Sequence, residues 1–165
     1  MFKVGEKVFI PVHGIGTIEK IENKVIFDQK RSYYVIKLEN DSTHIMVPAD
    51  KNIQVDSQVR KLFSKKESNT ILDVLKSKAI FVQDARERIK QNLKKIKTGN
   101  PYLKAEVIRD LNFIGSKKAL SRNDKEMLEK MKKIFVSELS LVLKNSKEES
   151  STMVEKLLKK SYSRN

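Results

Sequence analysis

The chain has 165 residues, with 35 Lys+Arg against 21 Asp+Glu and a formal net charge of +14, a balance that favours a polyanionic partner, nucleic acid before an anionic membrane. No stretch reaches the roughly eighteen apolar residues of a membrane span, and the start "MFKVGEKVFIPV" lacks the charged head, apolar run and small-residue cleavage site of a signal peptide, so a cytoplasmic protein is expected. With no cysteine, disulfides, thiol catalysis and thiolate metal sites are excluded.

The charge is unevenly placed. Residues 1–55 hold 8 Lys+Arg and 7 Asp+Glu, and residues 56–165 hold 27 and 14. The apolar period changes at the same place, from two to helical. This predicts an α+β chain: a small twisted β-barrel over 1–55, then a compact, basic, all-helical part over 56–165.

In chain order, "KVGEKVFI" alternates through Val4 and Val8, and "GIGTIEKI" places Ile15, Thr17, Glu19 and Ile21 at period two. "KVIF", "SYYVIKLE" and "THIMVP" are rich in β-branched and aromatic residues. Five short strands in about fifty residues fit a small barrel whose glycines allow tight bends. A unit of that size is weak alone, so it is expected to pack on the second half. "SQVRKLFSK" and "NTILDVLKSK" read as short helices. Residues 82–97 make the clearest helix, with Val82, Ala85, Ile89, Leu93 and Ile96 as its apolar stripe. "TGNP" ends it, with Gly99 as a left-handed cap and Pro101 opening the next element. "YLKAEVIRDLNFI" follows. Ser121 is a candidate N-cap with Asp124 as its reciprocal partner, and that helix runs to about Leu143. "SSTMVEKLLKK" forms a last helix.

Catalytic chemistry is hard to assemble from these residues. His13 and His44 have no third metal ligand at a usual spacing. "GIG" lacks the third glycine and the following helix of a dinucleotide site, and its ordinary reading is a bend between strands. Acidic pairs such as Asp84/Glu87 and Glu126/Glu129 stand among lysines and read as surface pairs. A non-enzymatic protein is expected, with no catalytic residue, metal, cofactor or small-molecule substrate.

The basic helix is more informative. Arg86, Lys90, Lys94 and Lys97 share one flank, and Arg88 and Lys95 another. With Lys117, Lys118, Arg122, Lys125, Lys130, Lys132 and Lys133 they suggest phosphate contacts, steep in salt dependence and poor in sequence selectivity. Phe63, Phe81, Tyr102, Phe113 and Phe135 read mostly as core positions, which disfavours single-strand stacking. The near-neutral β part fits a protein partner met through a sheet edge, and a neutral module joined to a basic one suggests bivalent recruitment.

"FKVGEKVFIPVHGIGTIEKIE", "YYVIKLE", "IMVP", "NLKKIKTGN", "AEVIRDL" and "LSRNDKEMLEKMKKIFVSELSLVL" together resemble the CarD/CdnL family of bacterial RNA polymerase-binding regulators, over nearly the whole chain. The resemblance implies a Tudor-like N-terminal barrel, similar to the polymerase-interaction domain of the transcription-repair coupling factor, and a compact helical C-terminal domain. It implies docking on the polymerase β subunit, contact with promoter double-stranded DNA near the −10 element, stabilisation of the open complex, and a nucleoid-associated location without membrane contact. Carried over by position, the dock falls on Lys24, Ile26 and Met46, and the DNA contact on Arg88, Lys90 and Lys125. Arg86 is added from the helix face. Many relatives have a tryptophan wedge at the start of the basic helix; here Ala85 occupies that place. Phe81, one turn earlier, could serve instead only if the helix starts elsewhere. Glu87 stands where some relatives have arginine. The alternative reading is an architectural or ribosome-associated basic protein that binds nucleic acid without polymerase.

Overall fold

The computed structural model describes residues 1–26, 28–39, 42–49 and 59–162. Five strands come first: β1 (Lys7–Ile10), β2 (Gly14–Ile26), β3 (Gln29–Leu38), β4 (His44–Pro48) and β5 (Arg60–Lys61). They form one antiparallel sheet in the order β4-β3-β2-β1-β5. Five helices follow: α1 (Lys65–Leu75), α2 (Ala85–Lys97), α3 (Pro101–Lys117), α4 (Arg122–Leu143) and α5 (Lys147–Tyr162). The α+β architecture is the one expected.

Period-two patterning gives the sheet two different faces. Val8, Ile10, Ile18, Tyr34, Ile36, Leu38 and Val47 form one buried cluster spanning β1 to β4, so the sheet curls around its own core as a Tudor-like fold does. Phe9 and Ile15, directly opposite each other across β1 and β2, point the other way. They enter the helical core beside Ile108, Leu111, Phe135 and Leu139. One end of the sheet's outer face is thus buried under helices, while at the β3–β4 end Met46 stays exposed beside a buried Val35.

The glycine pair has separate tasks. Gly14 opens β2 with φ +96 and packs against Ile134 of α4. Gly16 sits inside the strand, where an added Cβ would lie 2.5 Å from Ile36 Cγ2. Only glycine lets β3 approach there.

Two sequence expectations change. "GIGTIEKI" and the "KVI" of "KVIF" belong to one long strand, broken only by a bulge between Ile18 and Lys20. "SQVRKLFSK" is not a helix where it is described: Arg60 and Lys61 pair with Phe9 and Val8 as β5. Helix begins only after Ser64, whose side chain and that of Glu67 cap each other's backbone. The expected boundary at residue 55 lies outside the described residues.

Candidate functional site

The uncovered part of the sheet carries two of the residues expected in a dock. Antiparallel register places Lys20, Val35 and Met46 in one cross-strand row, and Lys24, four residues further along β2, opposite Arg31. Met46 is 40% exposed and its sulfur lies 3.3 Å from the Lys24 ammonium. Glu22, between the lysines on β2, pairs with both Lys20 and Lys24. The hydrogen bond from Lys20 holds the Glu22 carboxyl below the usual carboxylate range, and Glu22 in turn raises Lys20. Ile26 ends β2 opposite Gln29.

Among the described residues, β4 is an edge strand. Ala49 N–H donates to the Ser32 carbonyl, and Leu38 N–H to the Thr43 carbonyl. Antiparallel hydrogen bonding alternates along the strand, so residues 43, 45, 47 and 49 turn their backbone groups toward β3. His44 and Met46 turn theirs to the open edge, and Pro48 offers no donor there. Met46 therefore presents a side chain on the outer face and a backbone edge together. His44 bonds Glu19 at 2.9 Å through its ring, and His13 is exposed in the β1–β2 turn.

In α2 the expected flank is present: Arg86, Lys90, Lys94 and Lys97 are all exposed. Lys125 is exposed in the first turn of α4, beside an open cleft of about 440 Å³ that includes Ser116, Glu129 and Lys132. Arg88 is placed otherwise. It is 6% exposed. Its Nη2 lies 2.6 Å from Asp124 Oδ2, and its Nη1 donates to the carbonyl of Val82 at 2.7 Å. A guanidinium so committed cannot also face a phosphate, so Arg88 is corrected from a contact residue to one that ties the start of α2 to the start of α4. Asp124 is drawn to Arg88 and does not reach back to the Ser121 amide, while Ser121 still caps α4 by accepting from Asp124 N–H. The helix face also rotates from expectation. Arg88, Asn92 and Ile96 are the buried positions, and Ala85 and Leu93 are exposed.

The segment entering α2 is neither helix nor strand and is pinned from below. Arg109 donates to Ser77 Oγ and to Asp110, Asp110 accepts from Ile80 N–H at 2.9 Å, and Arg88 holds Val82. Between these anchors Ile80 and Phe81 stand 62% and 47% exposed. The helix starts at Ala85, after the Asp84 cap, so Phe81 lies outside it. The expectation that Phe81 is a core residue is overturned: the Lys118 ammonium lies 5.3 Å from its ring centroid.

A third cluster joins the sheet to the helices. Arg60 grips Glu138 of α4 with both Nη atoms, at 2.6 and 3.0 Å. Glu138 also accepts from Phe63 N–H at 3.2 Å and from Lys104 of α3 at 3.4 Å. Both cations lie over the Phe9 ring, with Arg60 Cζ 4.0 Å and Lys104 Nζ 3.6 Å from its centroid. Burial pushes the Lys104 ammonium down from 10.5 to about 7, against the Glu138 carboxylate that raises it. Between those values the unfolded chain binds a proton that the folded chain does not, so stability rises with pH across the window and is flat below it for this group. The urea midpoint is expected to climb from pH 7 to 9.5, and Lys104→Met to remove that part of the climb. An equal climb in the variant would show that Lys104 is not its source.

Residues 2–62 match the family described as CarD-like/TRCF RID domain. Residues 70–155 match the family described as CarD, C-terminal domain. The chain is 32% identical over 152 residues to "Putative transcription factor YdeB" of Bacillus subtilis (strain 168), covering 86% of this chain and 92% of that protein. The chain belongs to the CarD family. The first CarD-family match takes in all five strands, β5 included, and the second takes in α2, α3 and α4 whole. Among the described residues of this CarD-family protein, no helix is long and apolar enough to cross a membrane.

Proposed function

We propose that this CarD-like transcription factor docks on the RNA polymerase β subunit through Lys24, Ile26 and Met46, touches promoter DNA through its helical half, and lengthens the life of the open complex without catalysing a reaction. One observation carries the reading. The sheet buries one end of its outer face under its own helices and leaves the other end, with the β4 edge, open. An open strand edge beside an exposed methionine suits the addition of a partner strand. In this division the 1–55 part docks and the 56–165 part contacts DNA in the nucleoid. Arg86, Lys90 and Lys125 supply phosphate contacts, and Arg88 positions the start of α2.

Phe81 takes the wedge role that relatives give to tryptophan. Its exposure and pinned backbone support this, because an apolar side chain inserted at an unstacked step stabilises distorted DNA. Removing one aromatic stack costs about 1–3 kcal/mol. Phe81→Ala is therefore expected to shorten the open-complex lifetime at least about five-fold, while an exposed truncation moves stability by less than about 0.5 kcal/mol. An unchanged lifetime would remove Phe81 from the mechanism. The dock is tested by capturing purified cognate polymerase on the immobilised protein after nuclease treatment. Capture that depends on nucleic acid would favour a basic protein that binds DNA alone.

A further inference from the structure

We propose that Arg60, Glu138 and Lys104 form a lock holding the sheet and the helical body in one fixed orientation, with Glu138 as the positioning residue. The proposal concerns the fold itself; its functional consequence rests on the reading above. The apolar part of the seam does not set an angle. Phe9 and Ile15 enter the helical core, but apolar burial is non-directional. The Arg60–Glu138 fork is directional, because two parallel N–H···O bonds fix both distance and plane. The same guanidinium donates from Nε to the Gly99 carbonyl at 2.6 Å, so one side chain of β5 addresses both α4 and the α2–α3 turn. Glu138 completes the figure by taking Lys104 of α3 and the Phe63 amide just before α1.

A second contact reinforces the seam. The β1–β2 turn presses Pro11 against Gly99, where an added Cβ would lie 2.8 Å from Pro11 Cγ. In that turn Val12 has φ +68, a conformation a β-branched residue adopts only when its surroundings impose it. Val12 is packed against the helical core. The turn is thus held by the helices, as β5 is. A fixed orientation keeps the open sheet edge and the basic helices at a constant spacing, which sets the effective concentration of one half once the other is bound.

The chain has no cysteine, so Lys37→Cys and Lys156→Cys, both at exposed positions, give a unique spin-label pair across the seam. The wild-type background is expected to show one narrow distance distribution, and Glu138→Gln to at least double its width. Should Glu138→Gln fail to fold, the triple variant Arg60→Met/Lys104→Met/Glu138→Met decides, since it keeps apolar bulk and leaves no buried charge unpaired. A broadened distribution in a folded variant supports the lock. A distribution as narrow as wild type in either folded variant overturns it. In transcription assays the same variants should keep polymerase affinity and lose at least five-fold in open-complex lifetime. If the wild type binds no polymerase, the functional reading fails, and the distances still judge the lock.

Discussion

Glu138→Ala is expected to lower stability by about 3–5 kcal/mol, the cost of breaking a buried ion pair from one side. The side chain of Glu138 is wholly buried and serves Arg60, Lys104 and the Phe63 amide. Removing it strands two cations and one backbone donor. Lys104 can escape by releasing its proton, since burial already holds its ammonium near 7. Arg60 cannot, because a guanidinium stays charged at any working pH. Against a total stability of about 5–15 kcal/mol, this loss is a large fraction. Lys104→Met should behave oppositely. It leaves the Arg60–Glu138 pair balanced, replaces a desolvated ammonium with an apolar chain of similar length, and is expected to be neutral or mildly stabilising. Urea denaturation of the three proteins checks both signs. Equal losses in the two variants would mean that packing, and not charge balance, governs the seam.

The second large effect is expected at the dock. Met46→Glu should weaken polymerase binding at least about thirty-fold, corresponding to the roughly 2 kcal/mol that marks a central interface residue. The new carboxylate would lie within reach of the Lys24 ammonium, which now sits 3.3 Å from the Met46 sulfur. The exposed face would lose its apolar centre, and the edge strand would carry a charge that must be desolvated on binding. Because Met46 is exposed, folding should be little affected. Met46→Leu keeps the apolar surface and should retain most of the affinity. Titration of labelled protein with purified polymerase separates the three. A Met46→Glu variant that binds like wild type would move the dock off β4.

Local signals in the sequence translated directly into structure. Gly99 adopts its left-handed conformation, Pro101 opens α3, and Ser121 caps α4, because each depends only on chain neighbours. The β-branched and aromatic run "SYYVIKLE" supplied most of β3 for a similar reason. The errors came from long-range charge pairing. Arg88 and Asp124 are 36 residues apart, Arg60 and Glu138 are 78 apart, and Lys104 and Glu138 are 34 apart. No periodicity links such residues. Buried arginine displaced the apolar stripe expected on α2, and the pairing of Arg60 with Phe9 and Glu138 turned an expected helix into β5. Phe81 shows the same limit. Its aromatic character reads as core, and only the Asp110 and Arg88 anchors, which hold the backbone on either side, explain why it faces solvent. Of the candidate site, the flank of Arg86 and Lys90 and the Lys24–Met46 contact lay within reach of pattern and resemblance. The pins beneath the Phe81 segment and the seam cluster did not.

The proposed role of this protein is to bridge polymerase and promoter DNA so as to prolong the open complex. The direct measurement is the lifetime of competitor-challenged open complexes formed by purified cognate polymerase, with no added protein, with wild type, and with Met46→Glu. Wild type is expected to lengthen the lifetime several-fold, and the variant to leave it at the protein-free value. A wild-type protein that binds polymerase yet leaves the lifetime unchanged, or a Met46→Glu variant that lengthens it as wild type does, would rule out this role.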